Sequence, residues 1–425
     1  MPLYDIRTYG ATGDGLTDCT QAIQKAIDDC AAAGGGTVSV SDGRYLFYPL
    51  WLKSGVIIDV DASAVMLAGT NPELYPEVPE NPYWNVLFAL RHNRRYVFYA
   101  QGAKHIGITG HGKIDFQGLA FVDPDPNVIP GEGRWKRFSD TMVPGRSIFF
   151  VGCEDIRLED ITLVDTAGGW FSWLLDCTDV VVHGVTMRAD VRMPNSDGLH
   201  LGSCRNVMVS DCNFQCGGDD CIIIRSMQEQ FTTPRPSENI TVTNCVMRGG
   251  KWASAILIAW THDYAIRNCV FSNLIVKGVH ELLGIHAPDI AFSESKDPPR
   301  YPDTPEPPPI SPLEIENIQV SNVVADVDHL LLLEFDDETE VAFTRNIRLH
   351  NIQAVCTCWP LIRVQPQHNV SDIEFSDISM ELRPAPNEPD QTPRTFYGVP
   401  GPFLDCPHVR NLTINNFRYL GMRKQ

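Results

Sequence analysis

A short phrase of alternating apolar and polar residues recurs along the chain. It reads apolar–polar–apolar and then polar–Asn/Asp–apolar, as in DIRLEDIT at 155–162 and DVVVHGVT at 179–186. Further copies are HIGITGHG at 105–112, NVMVSDCN at 206–213, NITVTNCV at 239–246, DYAIRNCV at 263–270, NIQVSNVV at 317–324, NIRLHNIQ at 346–353, DIEFSDIS at 372–379 and NLTINNFR at 411–418. Apolar residues at every second position are typical of β-strands, so each copy predicts a strand.

The spacing of the copies predicts how these strands are arranged. The first apolar residues of five successive copies lie 24, 27, 33 and 24 residues apart: Ile156, Val180, Val207, Ile240 and Tyr264. A unit of this length that cannot bury its own apolar face must stack on its neighbours. Because the copies show the strand period and no helical period, we predict an all-β fold. It is a parallel β-helix that forms a single domain over residues 1–425.

The two ends of the pattern and its interruptions are also informative. Residues 1–70 predict an N-terminal cap and the first coils, with a helix that has Thr17 or Asp18 as N-cap and ends at glycines 34–36. Such a helix would cover the open end of the stack. Four Pro-rich segments predict loops that leave the β-helix, and each is either a binding loop or a disordered excursion. They span residues 72–82, 122–134, 288–312 and 384–402.

The composition of the chain limits which classes of partner it can bind. There are 53 acidic and 34 basic residues, and the net charge of −19 argues against nucleic acid and against anionic membranes as partners. No apolar run reaches the length of about 18 residues that a transmembrane helix needs. The opening residues MPLYDIRTYGATGDG lack the features of a signal peptide. We therefore expect a cytoplasmic protein, or a secreted one if a leader was removed.

The thirteen cysteines follow the repeated phrase. Cys153, Cys177 and Cys204 each precede a copy, and Cys212, Cys245 and Cys269 fall inside copies. Stacking would align them in rows, so we predict buried free thiols rather than disulfides. A zinc site has little support, because no CxxC pair stands near a matching pair.

Two acidic stretches interrupt the alternation in neighbouring coils: NSDGLH at 195–200 and GGDDCI at 217–222. Asp219 follows Asp197 by 22 residues, about one coil, so Asp197, Asp219 and Asp220 should meet in a solvent-filled groove. Carboxylates that repel one another raise at least one pKa, and glycoside hydrolysis needs one protonated and one ionised carboxyl group. Each stretch taken singly is also an ordinary turn sequence.

At these motifs the chain resembles glycoside hydrolase family 28, the polygalacturonases. The matching stretches are YGATGDGLTDCTQAIQKAIDDCAAAGGGTV, ITGHGKIDFQG, NSDGLHL and GGDDCIII, and the resemblance is clearest from residue 5 to residue 275. It implies a right-handed parallel β-helix that hydrolyses pectic glycosidic bonds with inversion. It also implies Asp219 as the general acid, Asp197 and Asp220 as the pair that activates water, and neither a metal nor an organic cofactor.

The chain departs from the family at two motifs. The family's Gly-His-Gly is replaced by Trp252–Ile258, without the His, and its Arg-Ile-Lys is replaced by Leu283–His286, without a cation. Rhamnogalacturonan hydrolases of the family also lack that His, so hydrolysis remains the expectation although galacturonate recognition is in doubt. The candidate sugar-binding residues are His200, Arg225, Trp260, His262 and His286.

The leading hypothesis is therefore an inverting, exo-acting glycosidase for a pectic or related plant oligosaccharide or polysaccharide. Exo action is favoured because loops can close one end of a cleft. Two alternatives remain open at this point. One is a polysaccharide lyase of the same fold with Arg225 or Lys251 as base. The other is a glycan-binding β-helix without catalytic activity.

Overall fold

The computed structural model describes residues 2–78, 94–138, 144–166, 169–226, 233–259, 263–287, 311–335, 339–383, 406 and 408–422. The chain winds as a right-handed parallel β-helix, which confirms the predicted fold class. Each coil adds one strand to each of three faces, which we name sheets A, B and C. Strands of successive coils pair in parallel and in register, as Phe149 with Trp173 and Ile156 with Val180.

The strands of the first coils are separate on each face. Sheet A contains Leu50–Trp51, Tyr96–Gln101, Arg146–Val151, Trp170–Leu175, Leu199–Gly202, Ile222–Arg225, Ser254–Ile258 and, further on, Leu361–Arg363. Sheet B contains Leu3–Asp5, Gly36–Val40, Val56–Val60, Lys104–Thr109, Glu154–Glu159, Thr178–His183, Arg205–Ser210 and Ser237–Thr243. Sheet C contains Asp14–Asp18, Gly43–Phe47, Ala64–Ala68, Lys113–Asp115, Thr162–Val164, Thr186–Ala189, Asn213–Cys216 and Val246–Arg248.

In the later coils, single long strands continue around the corners without a break. They are Ala265–Ala287, Leu313–Phe335, Val341–Cys356, Val370–Leu382 and Val409–Met422. The first residues of each belong to sheet B and the following ones to sheet C. The ends of Ala265–Ala287 and Leu313–Phe335 continue sheet A, where Leu257 pairs with Gly284 and Gly284 with Leu332.

The Asn and Asp residues of the repeated phrase form the corners of the coils. Asn239 and Asn268 have φ values of 59° and 57°, in the left-handed region that Asn and Asp tolerate better than most residues. Their side chains form a ladder in which each Nδ2 donates to the Oδ1 of the coil before, at 3.2 Å from Asn268 to Asn239 and 2.9 Å from Asn317 to Asn268. The phrase therefore marks corners as well as strands.

One part of the predicted register is wrong. The copy at 263–270 placed Tyr264 in line with Ile240, but Ile240 pairs with Cys269. The corner residue is Asn268, which stacks on Asn239, so the true repeat starts five residues later than the alternation suggested. Cys269 consequently lies in the row of Ile240 and not in that of Cys212 and Cys245.

The thiols are otherwise as predicted. All thirteen cysteines are free, eleven of them buried and the other two, Cys358 and Cys406, half-buried. Cys153, Cys177 and Cys204 do stack in successive coils, since the residues that follow them pair in register. Burial and the neighbouring thiols raise the pKa of Cys177 well above its ordinary value, as expected of a thiol with a packing role.

The N-terminal helix covers the first coil. It spans Thr20–Ala32 and buries Ile23, Ala26, Ile27 and Cys30 against the core. The predicted N-cap is wrong by one or two residues, because Cys19 occupies that position without a side-chain cap. The Asp18 carboxylate nonetheless accepts a hydrogen bond from the Thr20 N–H at 2.9 Å and so satisfies one free donor of the first turn.

The remaining elements are short. Within the described residues, three 3₁₀ helices span Ile6–Tyr9, Pro72–Leu74 and Gly118–Phe121, and Val122–Asp123 pairs antiparallel with Lys136–Arg137. These two strands, which flank the Pro-rich segment at 122–134, form a sheet of their own. The segments 79–82, 288–310 and 384–402 lie outside the described residues. None of the described helices is long and apolar enough to cross a membrane.

Candidate active site

The three predicted carboxylates come together where two neighbouring coils enter sheet A. Asp197 lies two residues before the strand Leu199–Gly202, and Asp219 and Asp220 lie just before Ile222–Arg225. The two strands pair in register, and the Gly198 N–H donates to the Asp220 carbonyl oxygen at 2.9 Å. One oxygen from each of the three carboxylates lies within 4.8 Å of the others.

Local sequence explains why the carboxylates approach so closely. A Cβ on Gly218 would lie 1.5 Å from the carbonyl oxygen of Met193, so only glycine allows the two turns to touch. The Ser196 hydroxyl locks this contact, since it donates to Met193 O at 3.1 Å and accepts from Gly218 N at 3.0 Å. The residues between the acids are thus what brings Asp219 against the preceding coil.

The site is more enclosed than the sequence suggested. Asp197, Asp219 and Asp220 are only 3%, 6% and 3% exposed, so the expected open, solvent-filled groove is wrong for this state. The 4.8 Å limit applies to single oxygens of the three carboxylates, so it does not measure the separation of roughly 6.5–9.5 Å between carboxyl groups that is typical of inverting glycosidases. Inversion is therefore supported by the family resemblance and not by this distance.

The cluster raises one pKa strongly. Burial and the charges of Asp219 and Asp220 raise the pKa of Asp197 well above its ordinary value, against a smaller opposing effect of Arg146. Its Oδ2 is buried and has no hydrogen-bond partner among the described residues. In this state Asp197 is the carboxylate that burial drives toward the protonated form, whereas the sequence assigned the proton to Asp219.

Asp219 and Asp220 are held as hydrogen-bond acceptors. Asn195 Nδ2 donates to Asp219 Oδ2 at 2.8 Å, and the backbone N–H of Ser254 donates to Asp220 Oδ1 at 2.6 Å. Arg134 Nη2 lies 3.6 Å from Asp219 Oδ1. These contacts fix both carboxylates, and they place a cation beside Asp219 that the sequence did not reveal.

His200 lies beside the cluster on the outer face of sheet A. It is in register between Trp173 and Ile223, and its ring stacks on Trp170 with 3.9 Å between ring centroids. Burial, with the charges of Arg225 and Arg146, lowers the pKa of His200 well below its ordinary value, so the imidazole is neutral. Neither ring nitrogen has a hydrogen-bond partner among the described residues.

An aromatic cluster occupies this face on the N-terminal side of the acids. Its members are buried and pack apart from the main core: Val78, Tyr96, Tyr99, Phe149, Val151, Trp170, Trp173 and Leu175. The Arg146 guanidinium stacks 3.3 Å from the Trp170 ring, and burial lowers the pKa of Arg146 to about 9. Alternation alone did not reveal this cluster, because runs such as RSIFFV look like fully buried strands.

The positions that depart from family 28 carry a different set of groups. Ser254 lies in sheet A between the coil of Asp220 and the coil of Glu281, and it pairs in register with Glu281. The Ser254 hydroxyl donates to Glu281 Oε1 at 3.1 Å. Glu281 Oε1 also lies 2.9 Å from Nε2 of His286, a predicted sugar-binding residue. A Cβ on Gly284 would lie 2.6 Å from that same Nε2, so this pair occupies the space of a side chain at 284.

The other predicted sugar-binding residues are not brought to the cluster. Arg225 is 5% exposed at the far end of its strand, where its Nε donates to Asp263 Oδ2 at 2.9 Å. Because its guanidinium is engaged in this buried ion pair, Arg225 is poorly placed to act as the base of a lyase. Trp260 and His262 lie outside the described residues.

A cation is the one cofactor that this geometry suggests. The group of Asp197, Asp219 and Asp220 is the only set of His, Cys, Asp or Glu among the described residues whose ligand atoms converge in this way. Carboxylate oxygens suit hard cations such as Ca²⁺. However, Asp219 and Asp220 already accept hydrogen bonds and Arg134 stands beside Asp219, so the donor set fits an acid–base cluster better than a metal site.

The fold and the cluster together define a parallel β-helix protein with a candidate active site made of carboxylates. Residues 87–287 match the family model described as "Glycosyl hydrolases family 28", and residues 3–61 match "Rhamnogalacturonase A/epimerase, pectate lyase-like". The resemblance found in the motifs is thereby confirmed, and the chain is similar to family 28 at low sequence identity.

Named relatives agree with this family. The chain is 26% identical over 231 residues to a "Probable polygalacturonase" of Vitis vinifera, covering 52% of this chain and 44% of the relative. It is 25% identical over 285 residues to an "Exo-poly-alpha-D-galacturonosidase" of Dickeya chrysanthemi, covering 59% and 46%. The chain thus spans about half the length of the curated relatives it matches.

Among solved structures, an exopolygalacturonase from Thermotoga maritima superimposes with a TM-score of 0.70 at 19% identity, covering 90% of this chain and 88% of that one. At this identity the likeness supports the fold alone.

Proposed function

We propose that this protein is a glycoside hydrolase that cleaves pectic or related plant oligosaccharides from a chain end. The observation that carries the proposal is the convergence of Asp197, Asp219 and Asp220 within 4.8 Å at the entry to sheet A. The family match and the polygalacturonase names of the relatives support the same reaction class.

The reaction requires three roles from these residues. Asp219 protonates the glycosidic oxygen as the bond to the anomeric carbon breaks, and Asp197 with Asp220 positions a water and accepts its proton as it attacks. Before this step Asp219 must gain a proton and Asp197 must lose one. The proton can pass from Asp197 to Asp219 within the cluster, or Asp197 can release its proton to solvent while Asp219 takes one up. Carboxylates that interact so closely titrate as a group, which allows such a transfer on substrate binding.

Exo action is supported by the enclosure of the site. The carboxylates are at most 6% exposed, and the aromatic cluster fills the outer face of sheet A in the coils before them. A closed end accommodates the terminus of a sugar chain more readily than its middle. The relative from Dickeya chrysanthemi, which is named as an exo-acting enzyme, favours the same mode.

A product analysis tests the proposal. The protein is incubated with pectic and neutral plant oligosaccharides and polymers, while reducing ends and viscosity are measured and the first-formed anomer is followed by NMR. We expect reducing ends to appear long before viscosity falls, and we expect the anomeric configuration to be inverted. Rapid loss of viscosity with few reducing ends would refute exo action, and a retained anomer would refute inversion.

The same screen separates the two alternatives. A lyase would produce unsaturated products that absorb near 235 nm, and chelation would abolish them. A glycan-binding β-helix would bind sugars without turnover on any substrate, and Asp219→Asn would leave that binding intact. The buried Arg225–Asp263 pair already removes one of the two bases proposed for a lyase.

A further inference from the structure

Two arginines reach the carboxylate cluster from outside the β-helix. They lie on the segment 122–138, which leaves the helix between sheets C and A and which we name the arginine loop. Arg134 Nη2 lies 3.6 Å from Asp219 Oδ1. Arg137 Nη2 donates to Asn195 Oδ1 at 3.0 Å and to the Pro194 carbonyl oxygen at 3.2 Å. Neither arginine belongs to a family motif found in the sequence.

The arginine loop is anchored over the site at several points. The Trp135 N–H donates to Arg192 O at 2.7 Å, and the Lys251 N–H donates to Gly131 O at 3.2 Å. The Arg134 guanidinium lies 5.2 Å from the Trp252 ring centroid. Lys136 and Arg137 close the loop by pairing with Asp123 and Val122. These contacts hold both guanidinium groups in place, which reduces the entropy lost when a ligand binds.

Arg134 retains hydrogen-bonding capacity. Its side chain is 29% exposed, and its Nε is buried without a hydrogen-bond partner among the described residues. Burial lowers the pKa of Arg137 to about 10, so this guanidinium also stays charged near neutral pH. A planar, charged fork of this kind suits the bidentate binding of a carboxylate.

The three residues described next to the cluster on its opposite flank offer no such group. There Ser254, Glu281 and His286 follow one another along sheet A, and Glu281 is 1% exposed. An acidic sugar bound against Glu281 would face a second carboxyl group on this flank. Among the described residues at the cluster, the cations on the arginine loop are the ones placed to offset a substrate carboxylate.

We propose that Arg134 and Arg137 bind the carboxylate of an acidic sugar of the substrate beside Asp219. The proposal rests on the proposed function and names the residues of this chain that would recognise an acidic sugar. It also relocates acid recognition from sheet A, where the cations of the family motif are absent, to the arginine loop.

Binding of single sugars tests this inference without turnover. Titration calorimetry compares D-galacturonate with D-galactose, its neutral counterpart, on the wild type, Arg134→Gln, Arg137→Gln and the control Lys136→Gln. We expect Arg134→Gln and Arg137→Gln each to weaken galacturonate binding at least tenfold and to leave galactose binding unchanged. Lys136→Gln removes the charge of an exposed side chain that lies between the two arginines in sequence, so it should change the affinity for neither sugar. Arg134→Lys should restore part of the affinity for galacturonate that Arg134→Gln loses.

Three results would overturn the proposal. They are failure of the wild type to bind galacturonate at millimolar concentration, unchanged binding in both glutamine variants, and an equal loss for galactose, which would indicate a structural role. Kinetics separates this failure from that of the proposed function. Hydrolysis of pectic oligosaccharides with an unchanged KM in the variants refutes only the arginine roles, whereas arginine-dependent binding without hydrolysis refutes only the enzyme.

Discussion

At the scale of single residues, the cluster is chemically asymmetric. Asp197 is the carboxylate whose pKa is raised, whereas Asp219 is the one in contact with a cation and an amide. The sequence could place these acids together, because their spacing of 22 residues matches one coil. It could not show which acid is desolvated, since that depends on Arg146 and the arginine loop, which come from distant parts of the chain.

Asp219→Asn tests the role of the general acid. The amide keeps the size and the hydrogen bond to Asn195 but cannot deliver a proton in the same way, so we expect turnover to fall about 10²–10⁴-fold. The melting temperature should stay within about 2 °C of the wild type. Asp160→Asn, an exposed corner residue, is the matched control and should retain full activity. Turnover of Asp219→Asn at the wild-type rate would remove the assignment.

Asp197→Asn tests the desolvation of the cluster through stability. Because the folded protein raises the pKa of Asp197 above its ordinary 3.8, protonation stabilises the fold below that value, and this contribution is lost as pH rises through the folded pKa. The ionised group then costs about 1.4 kcal/mol for each unit of raised pKa. Asn mimics the protonated form, so the variant should melt above the wild type by about 2 °C or more at pH 7.

The pH dependence of that difference is the control. At pH 3 the advantage of Asp197→Asn over the wild type should shrink toward zero, because the wild-type group is then largely protonated in both the folded and the unfolded state. Melting curves of the two proteins in matched buffers measure this difference in melting temperature at each pH. An advantage that is absent at pH 7, or that grows as the pH falls, would contradict the raised pKa.

At the scale of elements, the corners explain both the success and the error of the sequence analysis. The recurring Asn and Asp were predictive because their positions require the left-handed backbone, as at Asn239 and Asn268. The register failed at Tyr264 because alternation continues through Tyr264-Ala265-Ile266 and imitates a repeat, while the corner itself fixes the coil. The outer face of sheet A was not predictable either, since a strand buried on both faces shows no alternation.

Variants of Asn268 separate the two ways in which a corner residue contributes to stability, its left-handed backbone and its side-chain ladder. Asn268→Ala places a Cβ-bearing residue without a local hydrogen bond at φ 57° and removes both ladder bonds, so we expect a loss of about 2 kcal/mol in unfolding free energy. Asn268→Gly removes the same bonds but tolerates the backbone, so it should lose about half as much. Chemical denaturation measures both variants. Equal losses in the alanine and glycine variants would show that the ladder, and not the backbone, dominates.

At the scale of the whole molecule, stability comes from stacked apolar rows closed by the N-terminal helix and not from covalent links. The core runs without a break from Ile6 to Met380, and the thiol rows are part of it. Because each coil contacts mainly its neighbours, such a stack gains stability coil by coil. The cysteines therefore act as small apolar side chains in the core. This predicts how many of them react with a thiol reagent in the native protein.

Thiol counting tests this view of the whole chain. With an aromatic disulfide reagent and no reductant, the native protein should react quickly at no more than two thiols, Cys358 and Cys406, since the other eleven are buried. In guanidinium chloride all thirteen should react, and added reductant should leave the melting temperature unchanged. Fewer than thirteen thiols in the unfolded, unreduced chain would reveal a disulfide. Rapid reaction of more than two in the native protein would show that the stacked rows open, in which case the coils do not form one continuous core.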